Sequence, residues 1–277
     1  MNLQDFKITV ILAILLGIFQ PSCQWNEFDE SLIFDHPDEF QYQKETAFCK
    51  KNPEKEIWSK TFTRDNTGNI IEETTFINGL PDLKITSGFN SNNQKQTDST
   101  FYNSGGNWII QYSHQYIYQR NRLTEILRYE PVEIKSHKTT YKYDGDKPRW
   151  EEFWYYSENK WKFQYAHSFD FNSNGKLVKK ESFQTEKKDK VYDTFIYTYY
   201  NNKLVEEKRI IQTGATSYVL KFTYTSYGFP DETIQDGNVI EKNYYSDGRL
   251  TEKHTFYFGI DPGFSQCNGN LIYKYGY

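Results

Sequence analysis

Apolar and polar residues interleave along most of the chain after residue 50. Segments such as YTYY from Tyr197 and LVEEKRII from Leu204 mix aromatic or aliphatic residues with Thr, Lys and Glu. A period of two predicts strands with one half-buried face, and Tyr, Phe, Thr, Val and Ile suit a pleated surface. No segment after residue 30 shows a helical period. We therefore expect an all-β fold.

A repeat organises this pattern. Each copy has an aromatic strand end, a short Asn/Asp/Ser/Gly turn, a Lys, Arg or Asn, an apolar anchor residue and usually a Glu two residues later. The anchors lie at or near Ile70, Lys95, Leu123, Trp150, Leu177, Leu204, Pro230, Leu250 and Leu271. Their spacing is near 27 residues over most of the chain. It shortens in the last two units, as terminal repeats often do.

Each unit predicts two strands joined by a tight turn. Asn174–Gly175, Asp247–Gly248 and Asn201–Asn202 suit two-residue hairpin loops, which need the positive φ that Gly and Asn tolerate. Roughly nine such β-hairpin repeats predict an antiparallel meander of about 16–18 strands. Because a long exposed edge strand invites aggregation, we expect the sheet to be curled or closed into a roll or barrel.

The repeat motif F/Y-x-F/Y-x-x-x-G-K/R-L-x-x-E resembles the YD repeats of RHS-type surface proteins and related repeats of many Bacteroidetes lipoproteins. Gly175-Lys176-Leu177, Gly248-Arg249-Leu250 and Tyr143-Asp144 carry the match, which covers about residues 58–277. The resemblance implies a β-hairpin architecture. In the long RHS proteins such repeats form a hollow shell around a toxin, and the units here are too few for that shell.

The first residues are typical of an exported protein. Residues 8–19 read ITVILAILLGIF, too short to span a bilayer but suited to a signal-peptide core. The following Gln20-Pro21-Ser22-Cys23 resembles the relaxed lipobox of Bacteroidetes-type lipoproteins. That resemblance implies a signal peptide over 1–22, acylation of Cys23, a lipidated acidic tether over 23–50 and a repeat domain over 51–277. The membrane would then be a partner through the acyl anchor, and plain secretion or an uncleaved anchor is the alternative.

Two cysteines remain if Cys23 is acylated. Cys49 precedes the first repeat and Cys267 lies in the last turn, and an oxidising compartment favours a disulfide between them. The edges of a flat sheet of about 17 strands would be about 80 Å apart, whereas a disulfide needs Cα atoms within about 7 Å. This bond would therefore require the sheet to curl or close. The alternative is two separate buried thiols.

The charge distribution and the absence of known catalytic or cofactor-binding sequence motifs restrict the possible functions of the chain. The 33 basic and 37 acidic residues form no block of one sign, so we expect no nucleic-acid partner. The five histidines lack metal-site spacing, and the sequence has no nucleophile elbow, phosphate loop or dinucleotide fingerprint. We therefore expect no metal, no cofactor and no catalytic residue.

Aromatic residues make up 18% of the chain and supply the binding candidates. The candidates are Trp150, Trp154, Tyr156 and Trp161. The first three share one strand face, and the rings of Phe153 and Tyr155 point to the other. An exposed set of rings could bind a glycan or a protein. The alternative is that these rings form the core of a thin sheet.

These features predict a non-catalytic, lipid-anchored β-repeat protein of the cell envelope, on the periplasmic or surface face of the outer membrane, with a binding or structural role. An integral outer-membrane β-barrel is the alternative, because the alternating residues Leu271 to Tyr277 resemble the last strand of such barrels. Against it, the repeats place Tyr, Thr and Lys where lipid would need apolar residues. A glycan-processing hydrolase is the third hypothesis.

Overall fold

The computed structural model describes residues 43–49, 52–131, 134–256 and 270–277. They form strands β1 Lys44–Cys49, β2 Asn52–Arg64, β3 Ile70–Ile77, β4 Leu80–Phe89, β5 Lys95–Ser104, β6 Asn107–Gln119, β7 Arg122–Glu130, β8 Ile134–Asp144, β9 Lys147–Ser157, β10 Lys160–Phe171, β11 Leu177–Phe183, β12 Val191–Tyr200, β13 Lys203–Ile211, β14 Thr216–Tyr224, β15 Pro230–Gln235, β16 Asn238–Ser246, β17 Arg249–Phe256 and β18 Asn270–Gly276. Across these ranges there is no α-helix. No helix there is long and apolar enough to cross a membrane.

The sheet is a closed antiparallel meander. Every strand pairs with its neighbour in sequence, and β1 pairs with both β2 and β18. Ala47, for example, lies opposite Trp58 on one side and Tyr273 on the other. The prediction of an all-β meander of 16–18 strands that curls or closes is confirmed. Strand β1 lies within the segment assigned above to the tether, and it supplies the pairing that removes both sheet edges.

The two faces of the wall differ in exposure. On β12, Asp193 and Tyr197 are 7% and 5% exposed, whereas Tyr192 and Ile196 on the opposite face are 42% and 37% exposed. Cross-strand partners share a face, so this assignment propagates around the sheet. We call the less exposed, concave face the inner face and the other the outer face.

A hydrophobic cluster lies at the seam where β1, β2 and β18 meet. Ala47, Cys49, Ile57 and Leu271 are buried there, with Trp58 and Tyr273 packed against them. Cys49 is disulfide-bonded, and both Cys23 and Cys267 lie outside the described residues. Cys49 opposes Leu271, which follows Cys267 by four residues in the sequence. The pairing of Cys49 with Cys267 and the acylation of Cys23 stay predictions.

The anchors of the sequence repeat join one unit to the next. Backbone carbonyls of four anchors accept hydrogen bonds from tyrosine hydroxyls of the following unit. The bonds are Tyr118 to Lys95 at 3.0 Å, Tyr143 to Leu123 at 2.9 Å, Tyr224 to Leu204 at 2.8 Å and Tyr277 to Leu250 at 2.7 Å. Burial raises the pKa of each of these phenols. The repeat period therefore reflects a contact made between units.

At three of these anchors the preceding residue is a cation that stacks on the same ring. Arg122 lies 5.7 Å from the Tyr143 ring centroid, Lys203 lies 4.9 Å from that of Tyr224, and Arg249 lies 5.3 Å from that of Tyr277. A cation over an aromatic ring is attracted by the negative electrostatic potential of the ring face. The Lys/Arg-Leu pair of the motif thus holds the aromatic strand end of the next unit from two sides.

Turns at the two ends of the barrel follow the predicted chemistry with one exception. Asn201–Asn202 and Asp247–Gly248 have φ of 49°, 62°, 52° and 77°, as two-residue hairpin loops require. Asn174–Gly175 instead lies in a five-residue turn, because Oδ1 of Asn172 accepts bonds from the backbone N–H groups of Asn174 and Lys176. The two-residue prediction for Asn174–Gly175 is therefore wrong.

Candidate functional site

The four predicted aromatic residues come together on the outer face of β9 and β10. Trp150, Trp154 and Tyr156 alternate along β9, and Trp161 on β10 lies directly opposite Tyr156. Phe153, between them, points inward and is 6% exposed. The predicted sharing of one strand face by Trp150, Trp154 and Tyr156 is confirmed. We call Trp150, Trp154, Tyr156 and Trp161 the outer patch.

Rings of the outer patch meet edge to face. Tyr156 and Trp161 have ring centroids 5.0 Å apart at 63°, and Trp154 meets Phe163 at 5.4 Å and 87°. Trp154 Nε1 donates a hydrogen bond to Thr140 Oγ1 at 3.4 Å. Tyr156 is 36% exposed, and the three indoles are half-buried. The patch therefore presents fixed ring surfaces to the solvent.

Lysines lie over these rings. Lys138 Nζ is 4.8 Å from the Trp161 ring and 5.7 Å from the Trp154 ring, and Lys188 Nζ is 5.0 Å from the Trp150 ring. Glu125 lies 3.8 Å from Lys138. The patch combines apolar ring surface with cations that lie over the rings, which suits a ligand that has both apolar faces and polar or acidic groups.

Glu152 lies beneath the patch and holds two of the lysines. Its carboxylate accepts hydrogen bonds from Lys142 Nζ at 2.7 Å and Lys188 Nζ at 2.8 Å. Burial alone would raise the pKa of Glu152, but these bonds outweigh it and hold the pKa below its usual value. Lys188 belongs to the loop between β11 and β12, so Glu152 fixes that loop against the outer face.

The inner face carries a buried network that the sequence did not reveal. Asp98 Oδ1 lies 2.7 Å from His114 Nδ1, and Tyr116 donates a hydrogen bond to Asp98 Oδ2 at 2.6 Å. Asp98 and His114 are 8% and 7% exposed. Burial alone would raise the pKa of Asp98, but the bonds from His114 and Tyr116 keep it low. Nearby, the Arg128 guanidinium lies 3.9 Å from the Tyr112 ring centroid.

A second inner-face row crosses β8 to β11. Glu151 is fully buried, with Tyr141 and His167 as its cross-strand partners. Burial raises the pKa of Tyr141, and the Glu151 carboxylate raises it further. Burial and then Lys180 lower the pKa of His167 to about 3. His167 Nδ1 lies 3.0 Å from Ser182 Oγ, so a neutral imidazole is paired with a hydroxyl there.

Carboxylates of the inner face each have their own partner. Asp193 accepts a hydrogen bond from Arg209 at 2.9 Å, as Asp98 does from Tyr116. Within the described ranges, no cluster of His, Cys, Asp and Glu could hold a metal ion. Only the strand register brings these residues together, and the sequence pattern does not give that register.

Comparison with known proteins gives no family. No protein-family model matches the chain, and no curated protein matches it. Similar solved structures include a porin-like protein from Bacteroides uniformis ATCC 8492, at 12% identity and a TM-score of 0.47, over 85% of this chain and 96% of that one. A porin-like protein from Bacteroides vulgatus ATCC 8482 has 13% identity and a TM-score of 0.39, over 85% and 98%.

The complex TcdB2-TccC3-Cdc42 is also similar, at 12% identity and a TM-score of 0.35 over 72% of this chain. The chain spans only 13% of the length of the matched chain in that complex. These similarities assign neither a family nor a function to the chain.

Proposed function

We propose that the chain is a non-catalytic glycan-binding protein of the cell envelope, held at the outer membrane by an acyl group on Cys23. The outer patch is the observation that carries this proposal. Its rings are fixed by neighbouring strands, and Tyr156 is 36% exposed. A pyranose has an apolar C–H face and polar edges, so it can stack on a ring while its hydroxyl or carboxylate groups meet Lys138 and Lys142.

The charge pattern of the outer face supports a barrel that stands in water. Lys242 and Glu232 pair at 2.7 Å in the middle of β16 and β15, and Lys179 pairs with Glu181 at 3.1 Å on β11. A lysine at the midplane of a bilayer costs about 2–4 kcal/mol on the lipid face of a barrel. Because such ion pairs recur around the barrel wall, an acyl anchor at Cys23 suits this protein better than insertion of the wall into the bilayer.

An integral outer-membrane barrel is the second candidate. A closed meander of eighteen strands favours it, since bacterial outer-membrane barrels are closed and have an even number of strands. Expression of a chain that begins at Gln24 separates the two. A water-borne barrel dissolves without detergent as a folded β protein, whereas a membrane-spanning barrel needs detergent.

Glycan binding is tested by titrating the protein with soluble neutral and uronic-acid-containing oligosaccharides, followed by tryptophan fluorescence and calorimetry. Trp161→Ala and Tyr156→Ala should weaken binding at least about tenfold, because central ring contacts dominate such sites. Tyr155→Ala, on the same strand but the inner face, should leave affinity unchanged. Equal affinity in all three variants, or no binding to either sugar class, would contradict the proposal. A protein partner would then be the remaining ligand for the patch.

A further inference from the structure

The two rims of the barrel carry different charges. The start of β1 and the turns that follow even-numbered strands form one end of the barrel, which we call the N-terminal rim. The turns that follow odd-numbered strands form the other end, which we call the opposite rim. Cationic side chains in or beside the N-terminal turns are Lys44, Arg64, Lys95, Arg120, Arg122, Lys147, Lys176, Lys203 and Arg249. Acidic ones there are Asp65, Asp144, Asp146 and Asp247. This rim is therefore five charges positive, in a chain of net charge −4.

Among the described residues, the opposite rim has no such excess. Its cations are Lys160, Lys187, Lys188 and Lys190, and its acids are Glu130, Glu158, Glu186, Asp189 and Asp236. Two large aliphatic side chains are strongly exposed at this rim, Leu80 at 72% and Ile134 at 60%. Within the described ranges, positive charge is thus concentrated at one end of the barrel.

Exposed tyrosines accompany the cations at the N-terminal rim. Tyr227, in the turn between β14 and β15, is 88% exposed, and Tyr200, beside the turn between β12 and β13, is 70% exposed. Tyrosine favours the boundary between water and acyl chains, because its ring is apolar and its hydroxyl is polar. Lysine and arginine near a bilayer are attracted by anionic headgroups.

The chain also enters the barrel at this rim. Gln43 N–H donates to the carbonyl of Gly276 at 2.6 Å, and Gln43 accepts from Phe62 N–H at 3.0 Å. Twenty residues separate Cys23 from Gln43 in the sequence, and they can span at most about 70 Å. This reach exceeds the length of a thirteen-residue strand, about 44 Å, so an anchor at Cys23 allows the N-terminal rim to face the membrane but does not by itself select that rim.

We propose that the N-terminal rim docks on anionic phospholipid headgroups. Retention at the membrane rests on the acyl anchor proposed above, whereas the orientation comes from the charge of the rim and does not require acylation. Docking of this rim would direct the opposite rim away from the bilayer and leave the outer patch on the barrel wall accessible to a glycan.

The test uses residues 23–277 with Cys23→Ser, so that neither the apolar segment of the predicted signal peptide nor an acyl group contributes. Vesicles of pure phosphatidylcholine and vesicles with 30% phosphatidylglycerol are sedimented with the protein at several salt concentrations. We expect binding to the anionic vesicles only, with loss at high salt because the attraction is screened. Equal binding to both vesicle types, or no binding to either, would overturn the proposal while leaving acylation and glycan binding untouched.

A matched pair of turns locates the surface. Arg120–Asn121 at the N-terminal rim and Glu158–Asn159 at the opposite rim both have positive φ at each residue, so the residues at positions 120 and 158 can be exchanged in equivalent turns. Arg120→Glu should weaken anionic-vesicle binding about 30-fold, from about fivefold for each of the two charges changed. Adding Glu158→Arg restores the net charge and should not restore binding. Recovery in this double variant would show that net charge, not the N-terminal rim, governs the interaction.

Discussion

Tyr224→Phe tests whether contacts between repeat units hold the barrel together. The substitution removes only the hydroxyl that donates to the Leu204 carbonyl at 2.8 Å. A neutral hydrogen bond contributes about 0.5–1.5 kcal/mol net to the free energy of unfolding. Leaving its half-buried carbonyl acceptor without a partner costs a similar amount. We therefore expect the free energy of unfolding to fall by about 1 kcal/mol. The midpoint of thermal unfolding should fall by about 2–4 °C for a domain of this size.

The measurement is urea unfolding followed by circular dichroism, with the slope m compared between variants, since an unchanged m shows that the change lies in stability. Tyr200→Phe is the control, because Tyr200 is 70% exposed and removal of its solvent-exposed hydroxyl should leave the free energy of unfolding unchanged. Equal stability of Tyr224→Phe and Tyr200→Phe would refute the assignment of the repeat anchors as joints between units.

The cation on the same ring gives an independent check. Lys203 lies 4.9 Å from the Tyr224 ring centroid, and an exposed cation–π contact is worth about 0.5–1 kcal/mol. Lys203→Met keeps the aliphatic stem and removes the charge. In a double-mutant cycle with Tyr224→Leu, we expect a coupling energy of that size. A coupling near zero would mean that the Lys/Arg of the repeat motif serves only solubility.

Three further outcomes follow from the structure. Glu152→Gln should lower stability by about 1.5–3 kcal/mol in urea unfolding, because it removes the charge that Lys142 and Lys188 both bind; a neutral effect would contradict this role. The pKa of His167 is lowered to about 3, so its contribution to stability is complete above about pH 6.5 and is lost as pH falls toward 3; His167→Gln should flatten the pH dependence of stability in this window. Intact mass with and without reduction should show no reactive thiol and an acylated Cys23; two cysteines alkylated without reduction would contradict the disulfide, and an unmodified start at Gln24 or later would contradict acylation.

Local chemistry accounts for the parts of the fold that the sequence predicts. The period of two and the turns at Asn201–Asn202 and Asp247–Gly248 are properties of a few adjacent residues, so strand number and turn type follow from them. Asn174–Gly175 departs from the prediction because a side chain two residues earlier, Asn172, accepts two backbone bonds and lengthens the turn.

The inner-face network could not be predicted in the same way. Asp98 and His114 are sixteen residues apart, and they meet only because β5 and β6 pair in one register out of several that the alternation allows. The partners of Glu151 and Glu152 could not be predicted either. These adjacent residues of identical type point to opposite faces and take different partners. The alternation assigns them opposite faces, but the identity of the partner depends on the register.

Positive charge at one rim is in part a consequence of the repeat itself. Five odd-numbered strands after β1 begin with a cation, at Lys95, Arg122, Lys147, Lys203 and Arg249. These cations fall at the same end of an antiparallel meander, and Lys203 and Arg249 also pack on rings there. Packing between units would therefore produce a basic rim even without a membrane partner. Arg120 lies outside this position, in the turn rather than at the start of a strand. Its charge is not required by the contact between units, which is why reversal at Arg120 distinguishes docking on anionic lipid from a by-product of repeat packing.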